Sequence, residues 1–242
     1  MPPVPRPSLP AVACVLVLAA PVAACSGVGD ARLDAVDGCA DVQVVGIRGQ
    51  SQSLEDNRGL GREVDQVTRA LERGLADEDV EVTALQHRSR DTDDADVYDA
   101  DVEAGREELA DVLDTLTGEC PDATLVVVGF SQGAQVAQET LAASGRLAAR
   151  VDALGLVGSP RHDPDSGATA VDLPGPPAQR AGVLGAGPDL GDLTARTVEA
   201  CLDRDAVCDA DGSTDLTGHK TGYEDPAVGR AVARELLRVL RG

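Results

Sequence analysis

A chain of 242 residues with 43% hydrophobic side chains has enough apolar material for one α/β domain with a sizeable core. Aromatic residues make up only 1%, so that core must be built from Val, Leu, Ile and Ala. The formal charge of −21, from 42 acidic and 21 basic side chains, argues against nucleic acid or an anionic membrane held by bulk charge.

Residues 1–24 have the form of an export signal. Arg6 and the amino terminus give a weakly positive start, and Ala11 to Ala20 is apolar. The run is shorter than the ~20 residues a membrane-spanning helix needs. It closes on Val22-Ala23-Ala24-Cys25, which resembles the bacterial lipoprotein box. In that motif the cysteine thiol takes a diacylglyceryl group and becomes the new N-terminus. Two acyl chains on one residue anchor firmly, where one chain binds only marginally. Cys25 is therefore a candidate lipid-attachment residue on a tethered surface protein; cleavage after Ala24 and free secretion is the alternative. Residues 25–38, small and polar, read as a tether, and the domain is expected over 39–242.

Within the domain, Val42 to Ile47 reads as the first strand and Arg48-Gly49-Gln50-Ser51 as a loop. Gly61 to Leu75 is a helix with Val64, Val67, Leu71 and Leu75 on one face. Val80 to Leu85 is a second strand, and His87 to Asp99 a polar, acidic surface loop. Leu109, Val112, Leu113 and Leu116 mark the next amphipathic helix. Leu125 to Val128 is a continuous apolar run rich in β-branched Val, as in a strand buried on both faces of a parallel sheet. Ala134 to Ala143 follows as a helix and Ala153 to Val157 as a strand. Ser159 to Gly191, rich in Pro, Gly and Asp, has no periodicity and reads as a long irregular excursion. Ala195 to Val198 is the last expected strand. Asp225 as N-cap and Pro226 at the first position open a closing helix, with Val228, Val232, Leu236 and Leu240 on one face. Strands alternating with helices predict a doubly wound, mainly parallel, five-stranded sheet.

Between the central strand and its helix stands Gly129-Phe130-Ser131-Gln132-Gly133. A G-x-S-x-G sequence with a strand before it and a helix after it has the form of a nucleophile elbow. Bulky neighbours would clash in so tight a turn, which accounts for the two glycines. The helix N-terminus would then lie behind the Ser131 hydroxyl. A serine hydroxyl at neutral pH is a poor nucleophile and needs a base, usually His, oriented by a carboxylate. The chain offers His87, His162 and His219. In the order serine, acid, histidine, His87 precedes Ser131 and His162 follows too closely, leaving His219. Asp203, Asp205, Asp209, Asp211 and Asp215 all lie upstream of it.

Cys14 leaves with the signal. Cys39, Cys120, Cys201 and Cys208 remain, an even set in an exported domain, with three possible pairings. Cys39 opens the first strand and Cys120 precedes the central one, so 39–120 is geometrically reasonable and leaves 201–208. Such a short loop would hold Asp205 rigid and favours it over the other acids. The spacings do not match paired C-x-x-C, so no metal is expected, nor any cofactor.

Several of these pieces together resemble the cutinases and cutinase-like esterases. They are Gly38-Cys39-Ala40-Asp41-Val42 with Arg48-Gly49, Cys120-Pro121-Asp122 with Gly129 to Ala134, Cys201 to Cys208 around Asp205, and His219 with Tyr223. The resemblance spans roughly Cys39 to the C-terminus. It implies a compact α/β-hydrolase without a large lid, with disulfides 39–120 and 201–208. It implies ester hydrolysis through an acyl-enzyme, with Ser131 as nucleophile, His219 as base and Asp205 as its orienter. The backbone N–H groups of Gln132 and Gln50 would form the oxyanion hole. Such enzymes usually carry Ser or Thr where this chain has Gln50, so a hydroxyl donor is missing unless Ser51, Ser53 or the Gln50 amide replaces it. The expected substrates are short- to medium-chain esters or lipids reached by a monomer at the cell surface. A cell-envelope acyltransferase with the same catalytic residues and a weakly active binding protein on the same fold are the alternatives.

Overall fold

The computed structural model describes residues 39–242. The expected signal, Cys25 and the tether lie outside the described residues. In chain order the elements are β1 (Val42–Ile47), α1 (Gly61–Gly74), β2 (Val80–Ala84), α2 (Ala95–Glu119), β3 (Thr124–Phe130), α3 (Gln132–Ala143), α4 (Gly145–Ala148), β4 (Ala153–Val157), β5 (Thr169–Ala170), β6 (Thr197–Ala200), α5 (Thr217–Thr221) and α6 (Pro226–Arg241). The strands form one sheet in the order β2-β1-β3-β4-β6-β5, every neighbouring pair parallel.

The sheet is covered on both faces, which is why its central strands read as unbroken apolar runs. Val44, Val126 and Val128 pack under α1 and α6. Their neighbours Val45, Leu125 and Val127 point the other way, into α2 and α3. The expected face of α1 is inside, with Val64, Val67 and Leu71 fully buried. α6 opens as expected: the Asp225 carboxylate accepts the Ala227 N–H at 2.8 Å, and Pro226 takes the first helical position.

Three expectations need correcting. The sheet has six strands among the described residues, not five. The sixth, β5, lies inside the expected excursion, where two exposed residues pair with Val198 and Glu199 of β6. The second half of the expected acidic loop is the first turn of α2. Asp94 caps it, accepting the Asp96 and Val97 N–H groups, so acidic residues at this helix N-terminus are favourable rather than loop-forming. The last expected strand is shifted to 197–200, because Gly191–Arg196 winds into a 3₁₀ turn. The Thr197 hydroxyl closes that turn on the Leu193 carbonyl at 2.9 Å.

Disulfides join Cys39 to Cys120 and Cys201 to Cys208. The first ties the entries of β1 and β3, where the Thr124 N–H also bonds to the Asp41 carbonyl. The parallel strands thus start together at this edge. All residues of the candidate site lie at the opposite, C-terminal edge, where open α/β sheets form their ligand crevices.

Candidate active site

Ser131 occupies the turn between β3 and α3 with φ 52 and ψ −119, a conformation uncommon for a residue with a Cβ. Its backbone is fully engaged. The N–H donates to the Val157 carbonyl at 2.8 Å, and the carbonyl accepts from Ala134 and Gln135. The expected role of the glycines is met sterically. A Cβ on Gly129 would lie 2.4 Å from the Gly133 carbonyl, and one on Gly133 would lie 2.3 Å from the Ile47 carbonyl. β3, α3 and the end of β1 can touch only because both side chains are absent. That contact brings the loop after β1 alongside the serine: a Cβ on Gly49 would meet the Ser131 Cβ at 3.3 Å.

The His219 ring, on α5, lies with Nε2 2.9 Å from the Ser131 hydroxyl and Nδ1 2.8 Å from Asp205 Oδ2. It stacks on Phe130, ring centroids 5.1 Å apart and planes 16° from parallel. Asp205 sits inside the Cys201–Cys208 loop, 1% exposed. Its Oδ1 accepts the Val207 N–H at 2.8 Å, and its Oδ2 accepts the Tyr223 hydroxyl at 2.7 Å as well as the imidazole. Burial pushes this carboxyl up, but the bonds from His219, Val207 and Tyr223 outweigh it and hold Asp205 below the usual carboxylate range. Burial, with the Asp205 charge beside it, pushes the Tyr223 phenol well above its ordinary value, so it stays a donor.

The other acids weighed from the sequence go elsewhere. Asp209, fully buried, accepts the N–H groups of Gln179, Arg180 and Arg204, pinning the excursion to the disulfide loop. Asp203 lies 3.7 Å from Arg204, and Asp211 and Asp215 cap turns at Ser213 and Thr217. Asp205 alone of the five reaches His219.

Gln132 is the first residue of α3 and Gln50 lies in the loop after β1; neither backbone N–H has an acceptor among the described residues. The Gln50 side-chain amide donates one N–H to the Thr92 carbonyl at 2.7 Å. The Ser53 hydroxyl donates to Glu55. Two residues to which the sequence assigns no role fix this loop. Arg48, 4% exposed, donates to the carbonyls of Gln52, Leu85 and His87. Gln52 accepts the Gly49 N–H through Oε1 and donates to Glu63 through Nε2. An arginine directly after a buried strand was the available signal for Arg48; nothing in the sequence marked Gln52.

The remaining histidines are away from the serine, and neither is a surface residue. His87, expected in a polar loop, is 3% exposed because the chain turns back against α2 and α3. Neither ring nitrogen has a partner, and burial, with Arg48 nearby, lowers its pKa to about 4. His162 is buried beside Glu199, Nδ1 2.9 Å from Oε1 but out of line for a hydrogen bond. Among the described residues no cluster of His, Cys, Asp and Glu is arranged to hold a metal ion.

The sequence matches the family described as Cutinase over residues 38–234. It is 26% identical over 200 residues, 82% of each chain, to the carboxylesterase Culp1 of Mycobacterium tuberculosis and to that of Mycobacterium bovis. Among solved structures, a cutinase-like protein from Cryptococcus sp. superposes with a TM-score of 0.69 at 16% identity, covering 84% of this chain and 96% of that one. The catalytic core domain of acetyl xylan esterase from Trichoderma reesei gives 0.65 at 18% identity, covering 84% and 98%. At these identities the two structures share the fold.

Proposed function

The chain belongs to the cutinase family and is a carboxylic ester hydrolase, and from that premise we propose that Ser131, His219 and Asp205 are its nucleophile, base and orienting acid. The carrying observation is the unbroken chain from Ser131 Oγ through His219 to Asp205 Oδ2, with steps of 2.9 and 2.8 Å. Ser131 Oγ attacks the ester carbonyl while His219 Nε2 takes its proton. Asp205 stabilises the imidazolium that forms. The oxyanion of the tetrahedral intermediate is met by the Gln132 and Gln50 N–H groups, the former at the positive end of α3. His219 returns the proton to the departing alkoxide, leaving an acyl-enzyme. Water, deprotonated by the same imidazole, then releases the acid.

The proposed substrates are short- to medium-chain carboxylic esters or lipids. Two disulfides suit an oxidising, extracellular setting, and Cys25 is the proposed point of lipid attachment. Hydrolysis of p-nitrophenyl esters from butyrate to palmitate, by the wild type and by Ser131→Ala, tests the reaction. Turnover in the wild type that vanishes in the variant is expected. Equal turnover in both would remove Ser131 from the chemistry. Mass spectrometry of the mature N-terminus tests the anchor, and an unmodified Cys25 would remove it.

A further inference from the structure

The chain carries a twofold excess of acid over base, yet one face reverses that balance. α6 reads Pro-Ala-Val-Gly-Arg-Ala-Val-Ala-Arg-Glu-Leu-Leu-Arg-Val-Leu-Arg, with Glu235 its only acid. Arg230, Arg234, Arg238 and Arg241 stand three or four residues apart and are all exposed, forming one stripe. Across from them, at the end of α1, stands Arg73, also exposed. Together they line a groove of about 310 Å³ floored by Leu237 and small side chains. Arg73 and Arg230 have no ion-pair partner among the described residues, and Glu235 serves Arg234 and Arg238.

Secondary structure does not account for the stripe. Like charges at this spacing oppose helix formation. The helix dipole explains cations in the last turn, at Arg238 and Arg241, but not Arg230 or Arg234. The groove's position is informative. Arg241 donates to the Gly74 carbonyl at 3.0 Å, and the chain then runs from Gly74 to Asp79, whose carbonyl bonds Val42 at the start of β1. The C-terminal half of the groove therefore lies at the N-terminal edge of the strands, where the chain enters the domain at Cys39. Ser131 lies at the other edge.

We propose that the α1–α6 groove is a docking surface for the anionic headgroups of a lipid bilayer, which lays the α1–α6 face of the sheet along the membrane and leaves the edge that carries Ser131 to the side, off the bilayer. The surface rests on the reading that the protein is exported and tethered through Cys25, because one end of the groove lies at the edge where the chain enters the domain at Cys39. Docking is local. The bulk charge still opposes contact by any other face, so five arginines act as an orienting patch rather than as the anchor.

The test measures binding of the full chain to vesicles of phosphatidylcholine alone and of equal parts phosphatidylcholine and phosphatidylglycerol, at low and high salt. The apolar N-terminal run contributes to both vesicles, so the readout is their difference. The wild type is expected to prefer anionic vesicles, with a preference that high salt removes. Combined Arg73→Gln, Arg230→Gln and Arg234→Gln should weaken binding to anionic vesicles on the order of 10²-fold and leave neutral vesicles unaffected. Arg62→Gln, Arg88→Gln and Arg146→Gln, the same charge change at exposed sites elsewhere, should keep the preference. Circular dichroism and hydrolysis of a soluble ester check that all three proteins fold. No preference in the wild type, equal loss in the two variants, or capture of soluble polyphosphate without vesicle binding would each overturn the proposal. Vesicle binding needs no turnover, so an inactive Ser131 and a failed docking surface give separate results.

Discussion

Tyr223 donates its hydroxyl to the same Asp205 oxygen that receives His219 Nδ1, at 2.7 Å against 2.8 Å. The same hydroxyl accepts the Leu202 N–H at 2.9 Å. It therefore links the entry of the disulfide loop to the carboxylate inside it, and it is a positioning residue in the proposed reaction. Tyr223→Phe should lower kcat about tenfold or more, since a hydrogen bond to a charged group is worth about 1.5–3 kcal/mol. KM should stay close to its wild-type value, because the ring remains against Phe130 and the hydroxyl does not touch substrate. Steady-state kinetics on a soluble ester separates the two. A changed KM with an unchanged kcat would make Tyr223 a wall of the substrate site instead.

Arg48 carries the loop on which the proposed Gln50 donor rides. Its guanidinium joins the Gln52 carbonyl to those of Leu85 and His87, so β1's loop and β2's exit are one unit. Arg48→Met keeps most of the aliphatic stem and leaves three carbonyls without their donor. The cost in stability should be about 3 kcal/mol or more, read from denaturant midpoints. Under conditions where the variant stays folded, kcat should fall about 10²-fold, the scale of a lost oxyanion donor. Lys should not rescue it, because one ammonium cannot reproduce the planar fork.

What could be read from the sequence follows where each signal is stored. The elbow was legible because its parts are contiguous: the apolar run 125–128, two glycines and then ten residues rich in helix formers with no Pro or Gly. The pairing of Asp205 with His219 was legible in part through the short Cys201–Cys208 loop, which holds Asp203 and Asp205 and leaves out the other three acids. β5 was not, because Thr169 and Ala170 are exposed and owe their strand to Val198 and Glu199. The start of α2 was hidden because aspartates suit a loop and a helix N-terminus alike. Arg48 and His87 are buried only because distant parts of the chain close over them, and no local pattern records that.

Gln50 separates two ways of reading one position. Its side chain donates to the Thr92 carbonyl, and its backbone N–H, without an acceptor among the described residues, is the donor proposed for the oxyanion. Gln50→Ala keeps the N–H and should change kcat by no more than about threefold, because no transition-state donor is lost. Gln50→Ser adds a hydroxyl that can turn toward the oxyanion and should raise kcat by about tenfold. A fall of about 10²-fold in Gln50→Ala would mean that the amide leaves Thr92 and donates during turnover. Parallel kinetics of the three proteins on one ester decides among these.

His87 sets a pH dependence that acts on stability. Burial first, and Arg48 second, lower its pKa from 6.5 to about 4. The unfolded chain thus binds a proton that the folded chain refuses across that interval. Stability is fully present above the unfolded value and is lost as pH falls from about 6.5 toward about 4, by about 3 kcal/mol. Other groups titrate nearby. Burial raises the Glu63 carboxyl, so its contribution grows as pH falls and partly offsets the loss. Asp205 is held low, so its contribution is lost only below the ordinary carboxylate value. The difference between proteins is therefore the readout. The His87 ring lies between Gly105 and Val136, with no polar partner on either nitrogen. His87→Leu should be as stable as the wild type near neutrality and lose about 3 kcal/mol less by about pH 4, measured by urea denaturation at a series of pH values. Parallel curves for the two proteins would show that the imidazole finds a partner when protonated, and would move the acid sensitivity to the carboxylates.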